Sequence, residues 1–194
     1  MEKDQRIIKG NETKKHIINA SMKIISEEGI EGLSAKKVAD LSKISKSTIF
    51  HHYSSVEGIL DEIFKSMLSY LVEPIKAQKA PALEDFLFSL GESIYSLSDE
   101  DKLTYSVLLN FYISCLHNKK YRSALIKAKE EMIDAIADQL SRYTSQKRKS
   151  LLSIAEMIIM TLDGYGLHFL LDSDSNTVKE IWALQVKSWQ ALLE

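Results

Sequence analysis

One cysteine, two prolines and seven glycines in 194 residues exclude several common architectures. Cys115 alone cannot close an intramolecular disulfide, so a stapled secreted scaffold is ruled out and a reducing compartment is expected. With few breakers and few alternating β-branched runs, the chain should be helical nearly throughout. An excess of one charge is also lacking. The net charge is only −2, so overall charge does not announce a nucleic-acid partner. MEKDQR at the start is charged and has no apolar core behind it, so no secretory signal is expected. Residues 151–171 are the most apolar stretch, but Glu156, Asp163, His168 and two glycines interrupt them. A buried or interface helix of a cytoplasmic protein is expected there, with no membrane contact.

The apolar fraction is 45% and the charged fraction 27%, ordinary values for a soluble globular protein. Charge is unevenly placed: residues 1–53 hold ten Lys/Arg against seven Asp/Glu, and the remainder is acidic. A mildly basic head on an acidic body fits DNA contact at one end. Residues 1–10 read as a loose arm carrying Lys3, Arg6 and Lys9. A first helix is expected over about 13–28, ended by Gly29. Two short helices follow, capped by Ser34 and Ser45, with Val38, Ala39 and Leu41 turned inward. A fourth, capped by Ser54 or Ser55, stops before Pro74. Residues 76–82 read as a linker. Five more helices are expected at about 82–97, 101–116, 121–143, 146–171 and 176–193, with breaks at Asn118 and at 172–176. The fold class is therefore all-α, about nine helices: a head over 1–54 and a body over 55–194.

Residues 34–53, SAKKVADLSKISKSTIFHHY, carry the functional signal. A helix that enters the major groove must be short, exposed on one side and rich in hydroxyls, amides and cations. Lys46, Ser47, Thr48, Phe50, His51 and His52 meet this need, with Ser34 and Lys36 from the preceding helix. A helical hairpin with a solvated polar face fits the local pattern equally well. The ordered set Gly29, Gly32, Leu33, Ser34, Val38, Ala39, Ile44, Ser45, Thr48, Ile49, Phe50, Tyr53, Glu57 and Leu60 resembles the DNA-binding head of TetR-family repressors. The resemblance implies that Thr48 and Phe50 contact the phosphate backbone. It implies that Lys36, Lys46, Ser47 and His51 face base edges or phosphates, that His52 does either, and that Tyr53 packs the head. There are departures: Ser42 and Lys43 stand where the family usually has Ala-Gly, Ser47 where it has Gly or Pro, and Phe50 where it has Tyr. Val56 replaces the Lys that usually opens the fourth helix and grips a phosphate.

In the body, the last two predicted helices carry more apolar surface than a solvated exterior tolerates. Leu151, Ile158, Leu162, Leu170, Trp182 and Trp189 are expected at a homodimer interface, which the resemblance places there as a two-fold four-helix contact reading a near-palindromic operator. Phe86, Tyr105, Phe111, Tyr112, Cys115, Met132, Tyr165 and His168 form a mixed aromatic and polar set suited to a small-molecule inducer, or to ordinary core. No phosphate loop, nucleophile motif or His-x-x-x-His pair is present, so no enzyme, metal or cofactor is expected. His51 and His52 point about 100° apart on a helix and make a poor metal pair. The expected function is a ligand-released repressor binding double-stranded DNA. Two rivals remain at this level: a DNA-bound structural or occlusion protein without an inducer, and a ligand- or partner-binding module that has lost DNA function.

Overall fold

The structure is a computed structural model. It describes residues 2–96, 98–171 and 174–194, and the side chains of all of these except 2–6 and Ser175. Among the described residues the architecture is all-α: α1 (Glu2–Glu28), α2 (Ala35–Ser42), α3 (Lys46–His52), α4 (Val56–Ala77), α5 (Leu83–Tyr95), α6 (Asp99–Cys115), α7 (Lys119–Leu140), α8 (Arg148–Leu171) and α9 (Ser175–Leu193), with one 3₁₀ turn at Ile30–Gly32.

The chain forms two compact units. They cut it differently from a split after residue 54, because α4, α6 and α7 each contribute to both. The first unit comprises residues 1–67 and 103–122. Its buried residues include Ile17, Ile24 and Ile25 of α1, Val38 of α2, Ile49 of α3, Ile59, Ile63 and Phe64 of α4, and Phe111 of α6. The i, i+4 and i+7 spacing of these positions puts them on inward faces. Local chemistry sets the boundaries. Gly29 leaves α1 at φ 78°, a conformation that favours glycine. Ser34 Oγ accepts from Lys37 N at 3.3 Å, Ser45 Oγ from Thr48 N at 3.1 Å and Ser55 Oγ from Gly58 N at 3.1 Å.

The second unit comprises residues 68–102 and 123–194. Its core centres on Phe86, Leu87, Ile136, Leu140, Trp182 and Trp189. The Trp182 indole donates to Leu87 O at 3.0 Å and lies against Gly91, where any Cβ would fall within 2.5 Å of the ring. Its centroid is 5.1 Å from that of Trp189 and 5.4 Å from that of Tyr165.

Three expectations about elements are corrected. Helix α1 begins at Glu2, so residues 2–10 are helical and not a loose arm; Met1 and the side chains of Lys3 and Arg6 lie outside the described residues. Helix α4 runs through Pro74 to Ala77. Gln139 Nε2 supports this last turn by donating to Ile75 O at 3.3 Å and Gln78 O at 3.1 Å. Leu41, expected inward, is exposed at the end of the two-turn α2. The break between α8 and α9 falls at 172–174, of which residues 172 and 173 lie outside the described residues.

Candidate nucleic-acid interface

Helix α3 follows α2 through a turn that Lys43 makes at φ 57°. A side chain in that left-handed region costs about 1 kcal/mol, which the glycine usual there would avoid. Ile49 is fully buried and anchors α3 from below. The opposite side is free. Lys46, Ser47, Phe50 and His51 are exposed, as is Lys36 on α2, while Thr48 and His52 are half-buried. The Ser45 hydroxyl lies 2.8 Å from both Ser47 Oγ and Thr48 Oγ1, a hydroxyl trio at the start of the helix. Phe50, 48% exposed, offers an apolar ring next to cations, suited to a thymine methyl or sugar face. Ser34 is half-buried and its hydroxyl is engaged as the α2 cap. Lys37 differs from Lys36 in being paired with Glu28.

Tyr53, just past α3, is buried under the Lys14 ammonium, which stands 5.4 Å from the ring centroid. Burial, with the Glu62 carboxylate nearby, holds its phenol protonated well above the ordinary range. A Cβ on Gly10 would stand 3.9 Å from the His52 ring. The early turns of α1 thus lie beside the end of α3. The polar composition of residues 1–10 gives no sign of this feature. Lys43, exposed at the turn, stands beside this surface as a cation that can compensate for the Lys replaced by Val56.

The eight residues expected around a ligand divide between the units. Tyr105, Phe111, Tyr112 and Cys115 belong to the first, and Phe86, Met132, Tyr165 and His168 to the second. Phe111 is fully buried, packed on Phe64 and Tyr121 at centroid distances of 4.9 and 5.5 Å. Tyr105 and Cys115 are also buried, and burial raises the Cys115 thiol pKa. Phe86 and Met132 are closed into the second unit's core. Tyr165 and His168 instead line an open cleft of about 610 Å³ between α8 and α9, with Met160, Leu171, Thr177 and Ile181.

The expected interface residues require a correction. Leu151, Ile158, Trp182 and Trp189 are at most 1% exposed within their own chain, and Leu162 and Leu170 are half-buried. The exposed apolar residues of the same helices are Met157, Met160, Leu167 and Leu171 on α8 and Ile181, Leu184 and Leu192 on α9. Both sides of these helices are apolar, so composition could not tell which one the chain itself covers.

A short capped α2, a tight turn and an exposed polar α3 define a helix-turn-helix DNA-binding protein. Residues 17–63 match the model of the family described as bacterial regulatory proteins, tetR family. The HTH-type transcriptional regulator UidR of Escherichia coli strain K12 is 27% identical over 139 residues, which cover 70% of this chain and 67% of that one. Among solved structures, Salmonella enterica GusR superposes with a TM-score of 0.74 at 16% identity, over 93% of this chain and 95% of that one. A transcriptional regulator from Saccharomonospora viridis, solved in complex with choline, reaches 0.72 at 17% identity, over 91% and 96%. The chain is thus similar to TetR-type transcriptional regulators, over residues 17–63 in sequence pattern and over most of its length in fold.

Proposed function

We propose that this regulator is a ligand-released repressor, acting in the cytoplasm as a homodimer on a near-palindromic operator. The exposed side of α3 carries the reading: Lys46, Ser47, Thr48, Phe50 and His51 stand on a helix anchored by the buried Ile49. Lys36, Lys43 and His52 would add phosphate contacts around it. The exposed seam on α8 and α9 supports a two-fold contact. Met157, Met160, Gly164, Leu167 and Leu171 recur at steps of three and four, the spacing of a helix-to-helix seam. A Cβ on Gly164 would meet nothing within 4 Å, so only a neighbour outside the chain would exploit the missing side chain. Met160, Gly164 and Leu171 of this seam also line the cleft that holds the Tyr165 phenol and the His168 imidazole, so a partner copy would roof it over a small, partly apolar ligand; a neighbour of this fold holds choline. Binding there would shift the balance between a DNA-competent and a released state.

The test is fluorescence anisotropy on duplex DNA from around the protein's own coding region, across a salt series. Tight, salt-dependent binding is expected, weakened about tenfold or more in Thr48→Ala. Equal affinity in the variant would remove α3 from the interface. Binding no stronger than to random duplex at every salt concentration would favour a vestigial head, the reading that Val56 in place of Lys suggests.

A further inference from the structure

Three residues separate α4 from the end of α3, and one cluster holds the first half of α4. Glu57, Asp61 and Phe64 recur four and three residues apart on α4 and so share a face. That face meets the first turn of α7. Lys120 Nζ donates to both Asp61 carboxylate oxygens, at 2.7 and 2.6 Å, and stands 3.8 Å from Glu57 Oε1. The Tyr121 hydroxyl donates to Asp61 Oδ1 at 3.3 Å. The Tyr121 ring is buried 4.8 Å from Phe64 and 5.5 Å from Phe111 between centroids. The turn that presents these groups is itself fixed. Asn118 Oδ1 accepts from Lys120 N at 3.0 Å and Tyr121 N at 3.3 Å, and Arg122 Nε donates to Cys115 O at 2.8 Å.

A lone exposed ion pair positions little. Here one carboxylate is bound by two side chains of a capped helical turn, above three packed aromatic rings. The same helix also grips the far end of α4. Glu131 accepts from Lys76 Nζ at 3.2 Å, and Gln139 donates to the carbonyls of Ile75 and Gln78. Helix α7 therefore bonds α4 along both stretches, and α6 adds the bond that the Tyr70 hydroxyl donates to Asp101 at 3.1 Å.

We propose that Asp61, Lys120 and Tyr121 are positioning residues, a joint through which α7 sets the first half of α4 and with it α3. The proposal rests on the reading of α3 as the DNA-reading helix, and adds which side chains hold the helix behind it in place.

The experiment is amide hydrogen exchange on the full chain without DNA, with thermal melts of each variant. Lys120→Met and Asp61→Asn should speed exchange over residues 46–64 by about two- to thirtyfold, with melting temperatures close to the parent's. The reversed pair, Asp61→Lys with Lys120→Glu, should restore slow exchange. Lys76→Met, which removes a comparable ion pair at the other end of α4, should leave 46–64 unchanged. Parental exchange in both single variants overturns the joint, and so does acceleration spread evenly along the chain. DNA affinity is then read in the same variants and should fall in parallel with the exchange. A parent chain that binds no DNA overturns the proposed function, while the exchange result still decides the joint.

Discussion

Single residues mark where this chain departs from its relatives' pattern and where its packing is tightest. Val56 opens α4, half-buried, in the position where the TetR-type head usually carries a phosphate-binding Lys. Val56→Lys should therefore steepen the log–log salt dependence of DNA binding by about one unit and tighten binding at low salt, read by anisotropy. A slope unchanged in that variant would place α4's first turn away from the phosphates. Gly91 is a packing position: its missing side chain leaves room for the Trp182 indole. Trp182 is held by its bond to Leu87 O and by Trp189, so the ring cannot step aside. Gly91→Ala should cost about 1–3 kcal/mol in denaturant unfolding, without touching the DNA-reading surface.

Among the helices, α8 and α9 show most clearly how one sequence pattern serves two purposes. Each is apolar on both sides. One side closes on Phe86, Leu87 and Ile136, and the other stays open with Met160 59% and Leu184 63% exposed. Met160→Glu should convert a dimer to a monomer by light scattering while circular dichroism stays unchanged. A dimer that persists would move the contact off this seam. Trp189→Glu would not answer the question, because Trp189 is buried inside its own chain and the charge would disrupt that core. Helix α8 also satisfies the length and composition of a membrane span. Its two-sided apolar surface accounts for that composition, one side packed in the core and the other on the open seam.

For the molecule as a whole, alkaline pH is the expected weak point. Tyr53 and Tyr121 are buried beside Glu62 and Asp61, and burial raises both phenol pKa values. Lys120, held charged by Asp61, is shifted in the same direction. Groups whose folded pKa is raised stabilise fully below their unfolded pKa and lose that contribution as pH rises through the folded one. Stability should therefore hold up to about pH 10 and fall above it, more gently in Tyr121→Phe, as read by denaturant melts across pH. Caps made within four residues were legible in the sequence: Ser34, Ser45, Gly29 and Asn118 each sit where local chemistry predicts. So was the exposed set on α3, because a short helix with one apolar anchor has only one way to face. What escaped depended on distant partners. Pro74 is carried through α4 by Gln139, far along the chain, and the two sides of α8 differ only in what covers them.

Both tryptophans of the chain, Trp182 and Trp189, lie in the second unit's core, and the first unit has none. The intrinsic indole emission of this protein therefore comes from one place. A change in its colour or intensity on adding DNA would be a signal from the body about an event at the head. The unmodified chain thus carries its own label for watching communication between its two parts.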